Sequence, residues 1–128
     1  MKKTSNEHVS TDSPQGEDYW LNRGLKDKER DWLDDSVNWV KGYADSVNHP
    51  HRTLIVNALK KFKPDIVLEV GCNAGPNLIR IKQVFKGITL AGIDLNKHAI
   101  TTARKALPKA YLSVGTVRFI PFVDKQFD

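Results

Sequence analysis

The sequence predicts an α/β protein built on an incomplete, doubly wound parallel sheet, with helices ahead of it. Three observations carry this expectation. Apolar runs at Ile66–Leu68, Ile88–Ile93 and Ala110–Val114 alternate with segments of helical periodicity, the pattern of parallel strands joined by helical crossovers. The first run leads into a glycine turn, Glu69-Val-Gly-Cys-Asn-Ala-Gly-Pro76. Acidic residues, Glu69 and Asp94, close the first two runs.

Each element has a local reason. Residues 1–16 are polar, with almost nothing apolar, and read as a disordered tail. Residues 17–49 read as an N-terminal helical segment, in which Leu33, Val37, Val40 and Ala44 recur at helical spacing and Trp32, Trp39 and Tyr43 widen the stripe. Asn48-His49-Pro50 breaks it. From residue 50 the α/β part begins. A helix fits Arg52–Phe62, with Leu54, Ile55, Ala58, Leu59 and Phe62 as its expected buried face, and Pro64 stops it. The run Asp65–Val70 lacks alternation, as expected of a strand buried on both faces.

Pro76 suits the first turn of the next helix, where its missing N–H costs nothing. Leu78, Ile79, Ile81, Val84 and Phe85 give that helix a core side, and Gly87 ends it. After the strand Ile88–Ile93, Asn96 is placed to cap a helix carrying Ala99, Ile100, Ala103 and Leu107. Ala110–Val114 is the third strand, and Phe127-Asp128 looks like the start of a fourth.

The 128 residues suffice for one small core. A single cysteine, Cys72, excludes an internal disulfide and fits a reducing compartment. No secretory leader and no spanning-length apolar run is visible, so a cytoplasmic protein without a membrane partner is expected. Net charge is +5 but uneven. Residues 1–50 hold 7 Lys/Arg against 10 Asp/Glu, a net of −3, and residues 51–128 hold 13 against 5, a net of +8. The basic residues are scattered and not interleaved with aromatics, which favours solvated helix faces over a nucleic-acid surface.

The glycine turn lets the backbone approach a small ligand. Its position also suggests that the N–H groups of the following helix point at that ligand. A dinucleotide site would carry G-x-G-x-x-G. Counting from Gly71, the third position is Asn73 and the sixth is Pro76, so only Gly71 fits. Asp94 lies 23 residues beyond Gly71, close to the offset of a carboxylate that accepts from ribose hydroxyls. An adenosine-containing ligand other than NAD is the expectation.

Val67-Leu-Glu-Val-Gly-Cys-Asn-Ala-Gly-Pro-Asn-Leu78 resembles the first motif of the class I, Rossmann-like S-adenosylmethionine-dependent methyltransferases, and Leu90-Ala-Gly-Ile-Asp-Leu95 resembles the second. Gly115–Asp128, with Pro121-Phe122 and Phe127-Asp128, resembles the exit of the third strand and the approach to the fourth. The resemblance covers residues 50–128 and implies a methyltransferase using S-adenosyl-L-methionine. It implies that Gly71 and Gly75, with Cys72 and Asn73 between them, pass against the methionine part of the cofactor. Glu69 would order the loop near the ammonium group, Asp94 would bind the ribose hydroxyls, and Leu95 would lie against adenine. Two positions depart from the family pattern. Asn73 stands for the middle glycine, and Thr116 stands for an acid facing the adenine amino group.

Tyr19, Trp20 and Arg23 are candidates for a lid over the site, because a ring face attracts a sulfonium charge. Cys72 lacks a nearby base and reads as loop filling. His49 and His51 lack further metal ligands, and no metal is expected. The family's sheet has more strands than this chain supplies, so the expectation is the cofactor-binding half of a truncated domain, with an exposed sheet edge as a route to self-association. The methyl acceptor and any catalytic base stay unassigned, with a small-molecule acceptor favoured over nucleic acid. The rival readings are a non-catalytic adenosine-binding module and an NAD-type oxidoreductase fragment.

Overall fold

The computed structural model describes residues 20–21 and 36–128. Tyr19, Arg23, Trp32, Leu33 and the polar N-terminus lie outside the described residues. Helix α1 spans Ser36–Asp45 and passes through a 3-10 turn, Ser46–Asn48, to α2, Arg52–Phe62. Two βα units and a third strand follow: β1 Ile66–Val70, α3 Pro76–Val84, β2 Thr89–Asp94, α4 Lys97–Ala106 and β3 Tyr111–Val114. The sheet is parallel, in the order β1-β2-β3. Leu68 is opposite Ala91, Glu69 opposite Gly92, and Gly92 opposite Leu112.

Both crossovers step in the same direction, which puts α3 and α4 on one face of the sheet. Their apolar sides meet the strands there. Leu78 and Ile81 of α3, Ile100 and Ala103 of α4 and Leu107 just beyond it form one core with Leu90, Leu112 and the half-buried Val67. Asn96 caps α4 as its sequence position suggests, its Oδ1 accepting from the Ala99 N–H at 3.0 Å. Pro76 occupies the first turn of α3. Helix α1 adds a smaller cluster, in which Val40 meets Ala74 and Ala99 and Trp39 packs alongside.

Two sequence expectations are corrected. Leu54 and Phe62 of α2 are 72% and 75% exposed, and Ala58 is exposed with them. The helix instead buries Arg52 and Val56 and half-buries Ile55 and Leu59. These positions also form one helical stripe, rotated from the expected one. Arg52 has polar partners inside, and that anchors the rotation. The second correction concerns β1. It is half-buried, with Val70 exposed, whereas β2 is buried through its centre. Among the described residues β1 has a sheet neighbour only on its β2 side, which leaves one edge of the strand without a pairing strand.

Beyond β3 the chain returns to the open side of β1. The Asp128 carboxylate accepts from the N–H groups of Asp65 at 2.7 Å and Ile66 at 3.0 Å. The Asp128 N–H approaches the Ile66 carbonyl at 3.4 Å. Phe127-Asp128 therefore lies where a strand beside β1 would begin.

Candidate functional site

The Glu69–Pro76 loop crosses the carboxyl ends of β1 and β2. Its backbone alternates into the left-handed region at Gly71 (φ 76°), Asn73 (φ 53°) and Gly75 (φ 77°). Asparagine is among the few side chains that tolerate this region, so Asn73 keeps the turn that a middle glycine would give. Its Oδ1 accepts from the Ala74 N–H at 2.6 Å, which holds the conformation. A Cβ on Gly71 would meet nothing within 4 Å, whereas one on Gly75 would lie 3.1 Å from Leu107. The first glycine borders open space and the last is pressed against the end of α4.

The N–H groups of the loop are spent inside the protein. Those of Gly71 and Cys72 both donate to the Ile93 carbonyl, at 2.8 and 2.9 Å. Asn73 donates to Asp94 Oδ2 at 2.8 Å, Ala74 to the Asn73 side chain, and Gly75 to the Cys72 carbonyl at 2.8 Å. Pro76 has none. The turn's own N–H groups from Gly71 to Gly75 are thus engaged within the protein, whereas the sequence expectation concerned those of the following helix, α3. A pyrophosphate needs such donors, and from Gly71 to Pro76 none is spare.

Carboxylates dominate the site instead. Asp94 accepts from Asn73 through one oxygen and from the Asn96 N–H through the other, both at 2.8 Å. It thus ties the loop to the start of α4, and each oxygen keeps lone-pair capacity for a ligand hydroxyl. Glu69 accepts from Asn77 Nδ2 through Oε1 at 2.5 Å, while Oε2 is shielded from solvent without a partner. Burial pushes its carboxyl up to about 7; the Asn77 hydrogen bond and the Arg52 charge oppose that rise, and Asp94 adds to it.

The other sequence-predicted residues fall as follows. Cys72 is 1% exposed, and burial, followed by the charges of Glu69 and Asp94, pushes its thiol up to about 12. It contributes backbone to the loop and is unsuited to nucleophilic attack. Leu95 is half-buried directly after Asp94. Gly115 donates to the Asp94 carbonyl at 3.0 Å, which brings the neighbouring Thr116 to the same strand ends. The Thr116 hydroxyl accepts from the Arg118 N–H at 3.3 Å. The Trp20 carbonyl accepts from Asn96 Nδ2 at 3.1 Å, so Trp20 stands beside the Asp94–Asn96 corner. Its ring is 6.2 Å from that of Trp39, which lies edge-on to Tyr43 at 5.6 Å. Among the described residues no group of three or more His, Cys, Asp or Glu is placed to hold a metal.

Three residues at the site were missed in the sequence. Arg52 carries no motif signal, and Asn77 lies inside the Val67–Leu78 segment without a signal of its own. Gly92 did carry one, since a glycine inside an apolar strand indicates close approach of other groups. A Cβ there would lie 2.8 Å from Cys72 Sγ, 2.9 Å from Leu78 and 3.0 Å from Leu112.

The comparisons agree with this geometry. Residues 67–128 match the family model described as a methyltransferase domain. A fatty-acid O-methyltransferase of Mycolicibacterium smegmatis is 38% identical over 64 residues, which are 48% of this chain and 23% of that protein. The plantazolicin methyltransferase BpumL, solved with a pentazolic desmethylPZN analog and SAH, superposes with a TM-score of 0.56 at 25% identity, over 76% of this chain and 41% of that one. The plantazolicin methyltransferase BamL is alike in fold, with a TM-score of 0.57 at 22% identity, over 88% of this chain and 45% of that one. The chain spans less than half the length of each of these relatives. Over residues 67–128 the chain is thus similar to a methyltransferase domain, and its fold is similar to that of methyltransferases solved with SAH.

Proposed function

We propose that this chain binds S-adenosyl-L-methionine and supplies the cofactor-binding half of a methyltransferase acting on a small-molecule acceptor. One observation carries the reading. The loop that meets the ligand has its N–H groups satisfied and is flanked by two carboxylates. Such a site suits a cationic nucleoside without phosphates and disfavours a dinucleotide. The spare acceptor on Glu69 faces the requirement of an ammonium group, and Asp94 that of a ribose diol. Gly71 gives the cofactor room beside the backbone, and Leu95 and Thr116 sit where adenine would follow. Trp20, held by Asn96, supports a lid that brings an aromatic face toward the sulfonium; Tyr19 and Arg23 belong to the same reading. The SAH bound to BpumL supports the choice of cofactor.

Methyl transfer from a sulfonium is a direct displacement, so the protein's contribution is chiefly to hold acceptor and methyl in line. A small acceptor is supported by the fatty-acid and plantazolicin substrates in the relatives' names. A cytoplasmic setting is supported by the unpaired, buried Cys72; among the described residues no helix is long and apolar enough to cross a membrane. The edge of β3, unpaired among the described residues and with Tyr111 and Val114 exposed, supports self-association.

Calorimetric titration with S-adenosylmethionine, S-adenosylhomocysteine and NAD tests the cofactor. Binding of the first two and silence with NAD is expected; tight NAD binding with no response to the others overturns the proposal. Asp94→Ala abolishes binding, and it also loosens the loop, because Asn73 and Asn96 both lose their acceptor.

A further inference from the structure

Arg52 is 5% exposed, and a guanidinium that deep needs its donors satisfied and its charge compensated. Its Nε donates to the Ser46 carbonyl at 2.7 Å and one terminal nitrogen to Ser46 Oγ at 2.5 Å. The other donates to Asn77 Oδ1 and lies 3.3 Å from His51 Nε2. Among the described residues no carboxylate pairs with Arg52 directly. The anion it reaches is Glu69, one amide away, because the Asn77 Nδ2 that faces Glu69 belongs to the amide whose oxygen faces Arg52.

The orientation of that amide is fixed by its neighbours. Arginine only donates and an ionised carboxylate only accepts, so a flipped Asn77 would lose both bonds. The result is a three-residue relay that joins α2, α3 and the end of β1. It occupies Oε1 of Glu69 and leaves Oε2 enclosed and unpartnered.

We propose that Arg52 and Asn77 are positioning residues for the amino-acid end of the cofactor, fixing Glu69 so that Oε2 receives the ligand's ammonium group. The proposal rests on the S-adenosylmethionine reading above and goes beyond it by naming the residues that prepare the acceptor. The relay acts on Glu69 in two ways. It sets the carboxyl plane, and it brings a buried positive charge that works against the burial cost of the carboxylate. Among the described residues Asp94 is the remaining charged group acting on Glu69, and it opposes ionisation.

The test compares two ligands of the full chain by calorimetry: S-adenosylhomocysteine, and 5′-methylthioadenosine, which keeps the adenosine and thioether but lacks the amino-acid end. Asn77→Leu and Arg52→Met each lower affinity for S-adenosylhomocysteine by about tenfold and change that for 5′-methylthioadenosine by less than about twofold. Adding either to Glu69→Gln produces no further loss. Equal losses for both ligands, or unchanged affinity for the first, overturns the relay while leaving the cofactor reading standing. If the unaltered chain binds neither ligand, the cofactor reading itself falls. Should a variant fail to fold by circular dichroism, a readout that needs no substitution carries the test. The Glu69 carboxyl resonance of the unaltered chain adds a variant-free readout. It shifts with S-adenosylhomocysteine and not with 5′-methylthioadenosine; the same shift with both ligands overturns the relay.

Discussion

Asn73 shows how one residue decides a loop. A left-handed non-glycine residue costs about 1–2 kcal/mol, and here the Asn73 side chain recovers part of that cost through the Ala74 N–H. Asn73→Gly removes the side-chain bond and the backbone strain together, so it is expected to stay within about 1 kcal/mol of the parent. Asn73→Val loses the bond and adds the β-branched penalty, and is expected to cost about 2–3 kcal/mol. Urea unfolding of the two variants checks this; equal costs would show that the φ of 53° is not what the residue supplies. This position was legible in the sequence, because left-handed tolerance belongs to the residue itself. Arg52 was not. Nothing in a lone arginine at a helix start says whether it faces water or a buried amide.

At the scale of elements, the packing of β2 beneath the loop is the decisive contact. Gly92 leaves the space that Cys72, Leu78 and Leu112 fill. Gly92→Ala is expected to destabilise by about 1–3 kcal/mol, since the added methyl must displace three well-packed groups. It also lifts Cys72 and thereby weakens cofactor binding. Gly87→Ala, with nothing within 4 Å of its Cβ, is the matched control and leaves both properties unchanged. Thermal unfolding and ligand titration on the pair make the comparison, and equal behaviour would remove the steric argument. The α3 and α4 faces were readable from period alone, because their apolar residues meet an apolar sheet. The face of α2 was not, because its inward stripe includes a charged residue and its exposed one includes Leu54 and Phe62. Hydrophobicity then pointed to the wrong side.

For the whole molecule, the buried carboxyl of Glu69 couples pH to stability and to ligand binding. Its value rises from 4.5 to about 7 on folding. The folded chain therefore holds a proton that the unfolded chain has released, and stability falls as pH rises through that window. The loss is at most about 3 kcal/mol. Denaturation midpoints of the ligand-free chain between pH 4.5 and 7.5 should show this slope, and Glu69→Gln should flatten it; a slope that persists in the variant belongs to another group. Binding has the opposite sign. An ammonium at Oε2 favours the carboxylate, so affinity for S-adenosylhomocysteine increases toward pH 7 and above, with a proton released on binding below that value. Titration in buffers of different ionisation enthalpy measures the proton directly.

The sequence by itself determined the order of helices and strands, the left-handed turn, the Asn96 cap and the acidic strand ends. These follow from residue-level preferences and from periods of two and 3.6, which act over a few neighbours. Only the tertiary structure decided that β1 has an open side, that α2 turns Arg52 inward, and that the loop's N–H groups are spent on Ile93, Asp94 and the loop itself. It also decided that Asn77 joins Glu69, 8 residues away, to Arg52, 25 residues away. Each of these depends on which distant groups packing brings within hydrogen-bond reach, and no local preference encodes that.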